Sequence, residues 1–321
     1  MRIAITGGTG FVGRHLAERL ASAGHEVVLV SRGVDGREGA VAIARRPGIT
    51  VRRASVADRV ALEQAFAGCA AVAHCAGINR EIGAQTYEAV HVRGTANVVA
   101  AAEAAGVGHL GLLSFLRARP ACGSGYHESK WEAEQIVRAA GIPWTVLKPG
   151  LTYGRGDHYL DHLSHAVATV PVYVGIGARR IRPLWVDDLV DVLSAAAVKR
   201  ELDDRTVPVL GPTEVGFDDA VRQIARVLDR RVLVTRLPMA FHRLLAVASE
   251  AVMTVPLVAR SQVRMLAEEI VEPVLAPDRL PDHLLPTTPF SDRTIRAGMP
   301  PPGRFGLKDL RLVNDPRIPV R

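Results

Sequence analysis

The chain opens on a short apolar run, Ile3-Ala4-Ile5, too brief for a globular helix and suited to a buried strand. The period then changes. Val12, Leu16, Leu20 and Ala23 share one helical face, Glu18 and Arg19 point elsewhere, and Gly24 offers a C-terminal stop. Strand-length apolar runs and helix-period stretches go on alternating. Strands are predicted at His25–Val30, Ile49–Arg53, Ala70–His74 and His109–Ser114. Helices are predicted at Arg59–Phe66, where Leu62 and Phe66 face together, at the alanine-rich Tyr87–Ala105, which stops at Gly106, and from Tyr126 through Val137 to Gly141. Gly33–Gly48, rich in Gly and Arg, reads as a loop. The alternation predicts an α/β fold with a doubly wound parallel sheet.

The pattern changes near residue 206. Val207–Leu210 and Arg231–Thr235 read as short strands, and Phe217–Leu228 as a helix turning Val221, Ile224, Ala225 and Leu228 inward. Apolar helices are predicted near Pro238–Val252 and Ser261–Ile270. From Glu272 the prolines (Pro273, Pro277, Pro281, Pro286, Pro289, Pro300–Pro302) predict a tail without regular structure. The expected division is a cofactor-binding domain over 1–170, with a contribution from about 180–205, and a smaller C-terminal substrate lobe over 206–321.

Between the first strand and helix lie Gly7, Gly10 and Gly13, spaced G-x-x-G-x-x-G. A glycine turn there lets backbone N–H groups approach a phosphate closely, and the positive end of the helix dipole adds to the attraction. A dinucleotide is the expected ligand of the turn, contacted by Gly7, Thr9, Gly10, Phe11, Val12 and Gly13. The second strand ends in Ser31-Arg32-Gly33, where a carboxylate would bind the ribose 2′-hydroxyl of NAD. Arg32 stands there instead, with no acidic residue before Asp35; a guanidinium suits a 2′-phosphate, so NADP is preferred, NAD remaining possible. Ala76 and Gly77 follow the fourth strand and are small enough for a cofactor to lie close above the sheet.

The stretch carrying chemistry is Tyr126-His127-Glu128-Ser129-Lys130. Tyr126 and Lys130, at i and i+4, share a helical face, and an ammonium beside a phenol is expected to lower its pKa and make it an acid or base. A serine hydroxyl, Ser114 or Ser124, would bind the substrate oxygen. His158, His162 and His165 recur on one face near Asp161; the spacing suits a metal, but no metal is expected, and His158 and His162 are read as substrate contacts. Arg179 and Arg182, in Arg179-Arg180-Ile181-Arg182, are candidates to clamp a phosphate or carboxylate, with Asp187 or Asp188 capping the helix that follows.

TGGTGFVG, Asp58 after the third strand, Ala76-Gly77, Tyr126-x-x-x-Lys130 and Lys148-Pro149-Gly150-Leu151-Thr152-Tyr153-Gly154 together resemble the short-chain dehydrogenase/reductase superfamily. More narrowly they resemble its extended and atypical branches, the NAD-dependent epimerase/dehydratase group and the relatives of an NADH-ubiquinone oxidoreductase accessory subunit. The resemblance covers roughly residues 1–235. It implies a Rossmann-type sheet, Asp58 contacting adenine, Lys130 holding the nicotinamide ribose, Tyr126 as acid/base, and the Pro149, Gly150 and Leu151 backbone against the nicotinamide. The activity implied is that of an NADP(H)-preferring oxidoreductase or epimerase/dehydratase-like enzyme; a non-catalytic NADP(H)-binding accessory protein is the alternative. Three departures bear on the substrate. His91 stands where the family usually has an asparagine and Lys148 where it has an arginine. Ser114-Phe115-Leu116-Arg117 replaces a run of serines or threonines only twelve residues before Tyr126. Together they weaken a sugar-nucleotide substrate more than they weaken cofactor binding.

Composition narrows the rest. An apolar content of 48 % is ample for a packed core. The formal charge of +7 comes from scattered arginines with few aromatics among them, which points to solubility and local anion sites rather than nucleic acid. The apolar C-terminal helices admit a membrane-surface association as a minor reading. Leu237–Val258 contains His242, Arg243 and Glu250 and does not read as a span. Three cysteines without C-x-x-C pairing, and a strand starting at residue 2 with no room for a signal peptide ahead of it, predict a reduced, cytoplasmic protein acting on a small molecule.

Overall fold

Strands buried on both faces need helices above and below, and the most apolar runs are of this kind: Ile3, Ala4, Ile5 and Val27–Leu29 are all fully buried. A computed structural model describes residues 1–33, 38–169, 171–175, 179–237, 240–241, 244, 247, 268–301 and 303. Its elements begin with β1 (Arg2–Thr6), α1 (Phe11–Ser22), β2 (Glu26–Ser31), α2 (Glu38–Ala44), β3 (Ile49–Arg53), α3 (Arg59–Phe66) and β4 (Ala71–His74). A π-helical stretch at Glu88–Arg93 leads into α4 (Gly94–Ala104), followed by β5 (Leu110–Leu113), α5 (Gly125–Arg138) and β6 (Trp144–Pro149). Next come β7 (Thr152–Tyr153), α6 (His158–Thr169), β8 (Val172–Gly175), β9 (Arg180–Ile181), β10 (Leu184–Trp185) and α7 (Val186–Ser194). After a π-helical turn at Ala195–Lys199 the chain forms β11 (Arg205–Val209), β12 (Val215–Gly216), α8 (Phe217–Val227), β13 (Leu233–Arg236) and α9 (Asp292–Gly298).

Seven strands make one parallel sheet in the order β11-β6-β5-β4-β1-β2-β3. The order reverses between β1 and β4, so a crevice opens at their C-terminal ends, the position that ligands take in open α/β sheets. The fold is the Rossmann-type arrangement that the alternation predicts.

The chain divides into two units. One holds 1–150, 186–209 and 273–286; the other holds the described residues of 151–185, 210–272 and 287–303. The division thus falls at Gly150, and 151–169 lie in the second unit rather than with the cofactor-binding domain. Residues 206–209, expected in the smaller lobe, belong to β11, the edge strand of the main sheet, with Pro208 opposite Lys148; a proline is tolerated at an edge because its missing N–H breaks no inner ladder. Beside it the Thr206 N–H donates to Asp278 Oδ2 at 2.7 Å, and the Asp278 N–H to the Thr206 carbonyl at 3.3 Å.

Other expectations are corrected. The stretch read as a Gly/Arg loop contains α2, which buries Ala40 and Ile43. The tail read as irregular forms α9, started by a Ser291–Thr294 capping box. Asp187 and Asp188 lie in the first turn of α7, which begins at Val186, so neither is its N-cap. The helices predicted near 238–252 and 261–270 lie mostly outside the described residues; Ile270 forms an isolated bridge with Ile181.

A buried ionic cluster ties α5 to β6. Glu134 and Lys148 are both fully buried, with Lys148 Nζ 3.0 Å from Glu134 Oε1 and 3.0 Å from the Ala118 carbonyl. Arg138 Nη2 donates to Glu134 Oε2 at 2.9 Å, and the Ser114 hydroxyl donates to Glu134 Oε1. Removing one member of a buried pair strands the other charge. Glu134→Ala is therefore expected to lower unfolding free energy by about 3–5 kcal/mol, while the double change Glu134→Leu with Lys148→Met recovers most of it. Urea midpoints of the three proteins check this.

Candidate active site

The cradle is built from the glycine turn after β1. Gly7 has φ +68°, and a Cβ there would lie 2.8 Å from the Ala76 backbone, so only glycine lets β1 and the chain after β4 approach this closely. A Cβ at Gly13 would lie 2.4 Å from the Gly7 carbonyl oxygen, which fixes glycine where α1 packs on the turn. Gly10 differs from both: a Cβ there meets only Gly7 O, at 3.0 Å. Gly10 is the N-cap of α1, and no side chain caps it. Its open side and the uncapped first turn fit a pyrophosphate accepting backbone N–H bonds. Thr9 is buried within the turn, while Phe11 and Val12 are half-buried at the helix start. Arg14, which the sequence pattern does not mark, carries its guanidinium over the Phe11 ring, 5.8 Å from its centroid.

At the ends of β2 and β3, Arg32 is exposed, and Arg53 Nε donates to the Arg32 carbonyl at 3.1 Å. Ser31 pairs with Arg53 in register, a neighbourhood that the linear sequence does not reveal. Asp35 lies outside the described residues. Asp58, which the resemblance assigns to adenine, is the N-cap of α3, its Oδ1 accepting the Ala61 N–H at 3.0 Å.

The chemistry-bearing residues of α5 meet the crevice through His91. The Ile78 N–H donates to His91 Nε2 at 3.1 Å, so the proton sits on Nδ1, which donates to Ser129 Oγ at 2.9 Å. Ser129 Oγ in turn donates to the Tyr126 carbonyl at 3.1 Å. Burial, and next the Lys130 charge, push His91 down to about 2, so the ring is neutral. Tyr87 stacks on it with centroids 5.5 Å apart and meets the Tyr126 ring edge-on at 5.7 Å. His74, bonded to Thr6 Oγ1 at 2.6 Å and Thr95 Oγ1 at 3.1 Å, is likewise held neutral, at about 3, mainly by burial.

Lys130 Nζ donates to the Leu113 carbonyl at 3.0 Å and would lie 3.2 Å from a Cβ at Gly77. Small residues after β4 therefore leave room for this ammonium as much as for a ligand. Burial lowers the lysine to about 8, with Cys75 and Glu134 opposing the fall. The expectation that Lys130 lowers the phenol's pKa is not met. Burial, then Tyr87, raises Tyr126 above the usual phenol range. With the ammonium bonded to a backbone carbonyl, desolvation decides.

The two candidate serines part company. Ser114 is buried with its hydroxyl given to Glu134, so the substrate-oxygen role read for it does not fit. Ser124, at the N-cap of α5, lies 2.6 Å from His127 Nδ1, and its hydroxyl does not cap the helix. Pro149 and Gly150 give backbone bonds to the sheet: Leu116 N–H to Pro149 O at 2.9 Å, Gly150 N–H to Val209 O at 3.0 Å. Leu151, first in the second unit, accepts the Leu184 N–H at 2.8 Å. His158 and His162 lie on α6 in the second unit, exposed and half-buried respectively. Arg179 is exposed, Arg182 Nε donates to the Gly211 carbonyl at 3.0 Å, and Arg180 is held by Glu214 and Glu269. Among the described residues no group of three or more His, Cys, Asp or Glu is arranged to hold a metal ion.

A glycine cradle at the switch point of a parallel sheet, faced by a Tyr-x-x-x-Lys helix, defines a nicotinamide-dinucleotide-binding protein. A family described as NAD(P)H-binding matches residues 7–160. The ceramide reductase of Caulobacter vibrioides is 30 % identical over 74 % of this chain and 73 % of that protein. A (4-alkanoyl-5-oxo-2,5-dihydrofuran-3-yl)methyl phosphate reductase of Streptomyces griseus is 29 % identical over 71 % and 74 %. The chain spans only 23 % of the length of an uncharacterised Mycobacterium tuberculosis relative, at 30 % identity over 72 % of this chain. The UDP-glucuronic acid 4-epimerase of Bacillus cereus shares the fold, with a TM-score of 0.64 at 17 % identity over 74 % of this chain and 87 % of that one. The chain belongs to the same NAD(P)H-binding family as the ceramide reductase.

Gly13→Ala must push the Gly7 carbonyl out of the cradle. It is expected to weaken NADPH binding about tenfold or more, ~1.4 kcal/mol, and calorimetric titration against the parent protein measures it.

Proposed function

We propose that the chain is an NADP(H)-preferring reductase acting on an oxo group of an alkyl- or acyl-chain-bearing substrate. The observation that carries this reading is the assembly of Tyr126, Lys130 and neutral His91 beside Gly77 at the switch-point crevice. NADPH bound there supplies the hydride that the carbonyl carbon accepts. Tyr126, held protonated by its raised pKa, donates its proton to the carbonyl oxygen as the carbon–hydride bond forms, giving an alcohol. Lys130 binds the ribose and stabilises the phenolate left behind. Ser124 takes the substrate oxygen in place of Ser114, whose hydroxyl belongs to Glu134.

Arg32 at the end of β2, with Arg53 anchored on its carbonyl, supports binding of a 2′-phosphate. The substrate class comes from the relatives' names, which join ceramide and an alkanoyl-bearing oxo compound with reduction.

The test is NADPH consumption against ketones of graded alkyl-chain length. Turnover is expected, with Tyr126→Phe lowering kcat by about 10²–10⁴-fold, Ser124→Ala lowering it less, and Ser114→Ala lowering thermal stability instead. Turnover untouched by Tyr126→Phe defeats the mechanism, and tight NADPH binding without turnover on any ketone identifies an accessory protein. Arg32→Glu is expected to weaken NADPH binding while leaving NADH binding unchanged.

The pH dependence follows from Lys130, whose pKa near 8 leaves it charged below that pH and neutral above it. NADPH affinity is thus expected to fall as pH rises from 7 through 9. In Lys130→Met it is expected to be low and flat over that range; fluorescence titration reads both.

A further inference from the structure

The C-terminal end of α8 and the turn into β13 gather four guanidinium groups. Arg222, Arg226, Arg230 and Arg231 line a surface cavity of about 400 Å³, with Asp229 as the one carboxylate among the described residues of its lining. Arg222 pairs with Asp219 at 2.6 Å, and Arg226 lies 3.7 Å from Asp292. Among the described residues, neither Arg230 nor Arg231 has a carboxylate within 4.0 Å. The negative end of the α8 dipole helps hold these charges together, but it does not explain what the chain does next.

Straight after the arginines comes a series of exposed apolar side chains. Leu233 is 67 % exposed, Leu237 39 %, and Val172 on the paired strand β8 44 %. Phe241, Leu244 and Val247, spaced by three and lying in helix, are 41 %, 67 % and 50 % exposed. Exposed apolar residues scattered singly need no explanation; a series of them following a cluster of arginines along the chain does.

We propose that the described residues from Arg222 to Val247 dock the second unit on an anionic lipid bilayer. The two halves of this stretch ask for different things that a bilayer surface supplies: lipid phosphates for the guanidinium groups, and the acyl boundary beneath them for the aliphatic side chains. A free phosphate compound would satisfy the arginines and leave the apolar residues in water. A nucleic acid would call for stacking aromatics, and among the described exposed apolar residues of this stretch Phe241 is the only ring. Docking is independent of the catalytic reading, and it would place a reductase where chain-bearing substrates dissolve.

The test uses the full chain and sedimentation with vesicles of phosphatidylcholine alone or mixed with phosphatidylglycerol. Binding is expected on the mixed vesicles only, with release at about 0.5 M salt as screening shortens the reach of the charges. Each positive charge lost is expected to cost about fivefold in partitioning, so Arg230→Glu with Arg231→Glu, which also adds two negative charges, should lose more than about 25-fold, and Leu244→Asp should weaken binding while the charges are intact. NADPH affinity, which the glycine turn of the first unit supplies, verifies that each variant is folded; Arg230→Gln with Arg231→Gln replaces a reversal that fails this check. No binding to anionic vesicles overturns the proposal, as does binding that ignores the arginine changes. Arginine-dependent binding of pyrophosphate without vesicle binding shows a site for a free phosphate compound and overturns it too. A dimer abolished by Leu244→Asp, with no vesicle binding, shows that a second copy covers this stretch. Turnover of short, water-soluble ketones is unchanged by these variants, which keeps a failure here separate from a failure of the catalytic reading.

Discussion

The buried pair of Glu134 and Lys148 sets the position of everything that α5 carries. Tyr126, Lys130, Glu134 and Arg138 recur at every fourth residue, so one helical row presents a phenol, an ammonium, a carboxylate and a guanidinium in turn. Fixing the carboxylate against β6 fixes the rotation and height of the other three. The same carboxylate takes the Ser114 hydroxyl at the end of β5, so one group ties together a helix and two neighbouring strands. Buried charges are a poor source of net stability; this cluster is better understood as setting the register of α5 on the sheet.

Around the crevice, burial decides protonation. His74 and His91 are held neutral, and Cys75 is pushed up to about 12, so its thiol stays protonated. The same desolvation lowers Lys130 to about 8, with Glu134 opposing the fall, so it stays charged at neutral pH. A crevice of neutral polar groups around one ammonium suits an anionic ligand, and the Tyr126 phenol keeps its proton there.

Much of this was legible in the chain because local pattern and tertiary role agreed. β1, β3, α1 and α3 stand where the apolar period places them, and the glycine spacing identifies the turn. β6 was not legible as a strand: Thr145 and Lys148 are fully buried polar residues that interrupt its apolar run, and only their partners on other elements explain them. Ser114 misled for the same reason, since its hydroxyl answers a carboxylate twenty residues away. The Tyr126–Lys130 spacing put both on one face of α5, but not the Leu113 carbonyl that takes the ammonium. Arg53 reaches the cofactor end through strand register alone, and α9 hid behind prolines that its capping box outweighs.

The edge strand β11 has a consequence for solubility. In a parallel strand, alternate residues turn their backbone groups to the same side. Thr206 spends its outward N–H and carbonyl on Asp278, and Pro208, next in the same phase, has no N–H to offer. The opposite edge ends in Arg52 and Arg53, both exposed. A flat, unpaired rim would template the addition of further strands. Here one rim is sealed by an aspartate and a proline and the other carries charge, so both edges disfavour the addition of an eighth strand from a second copy.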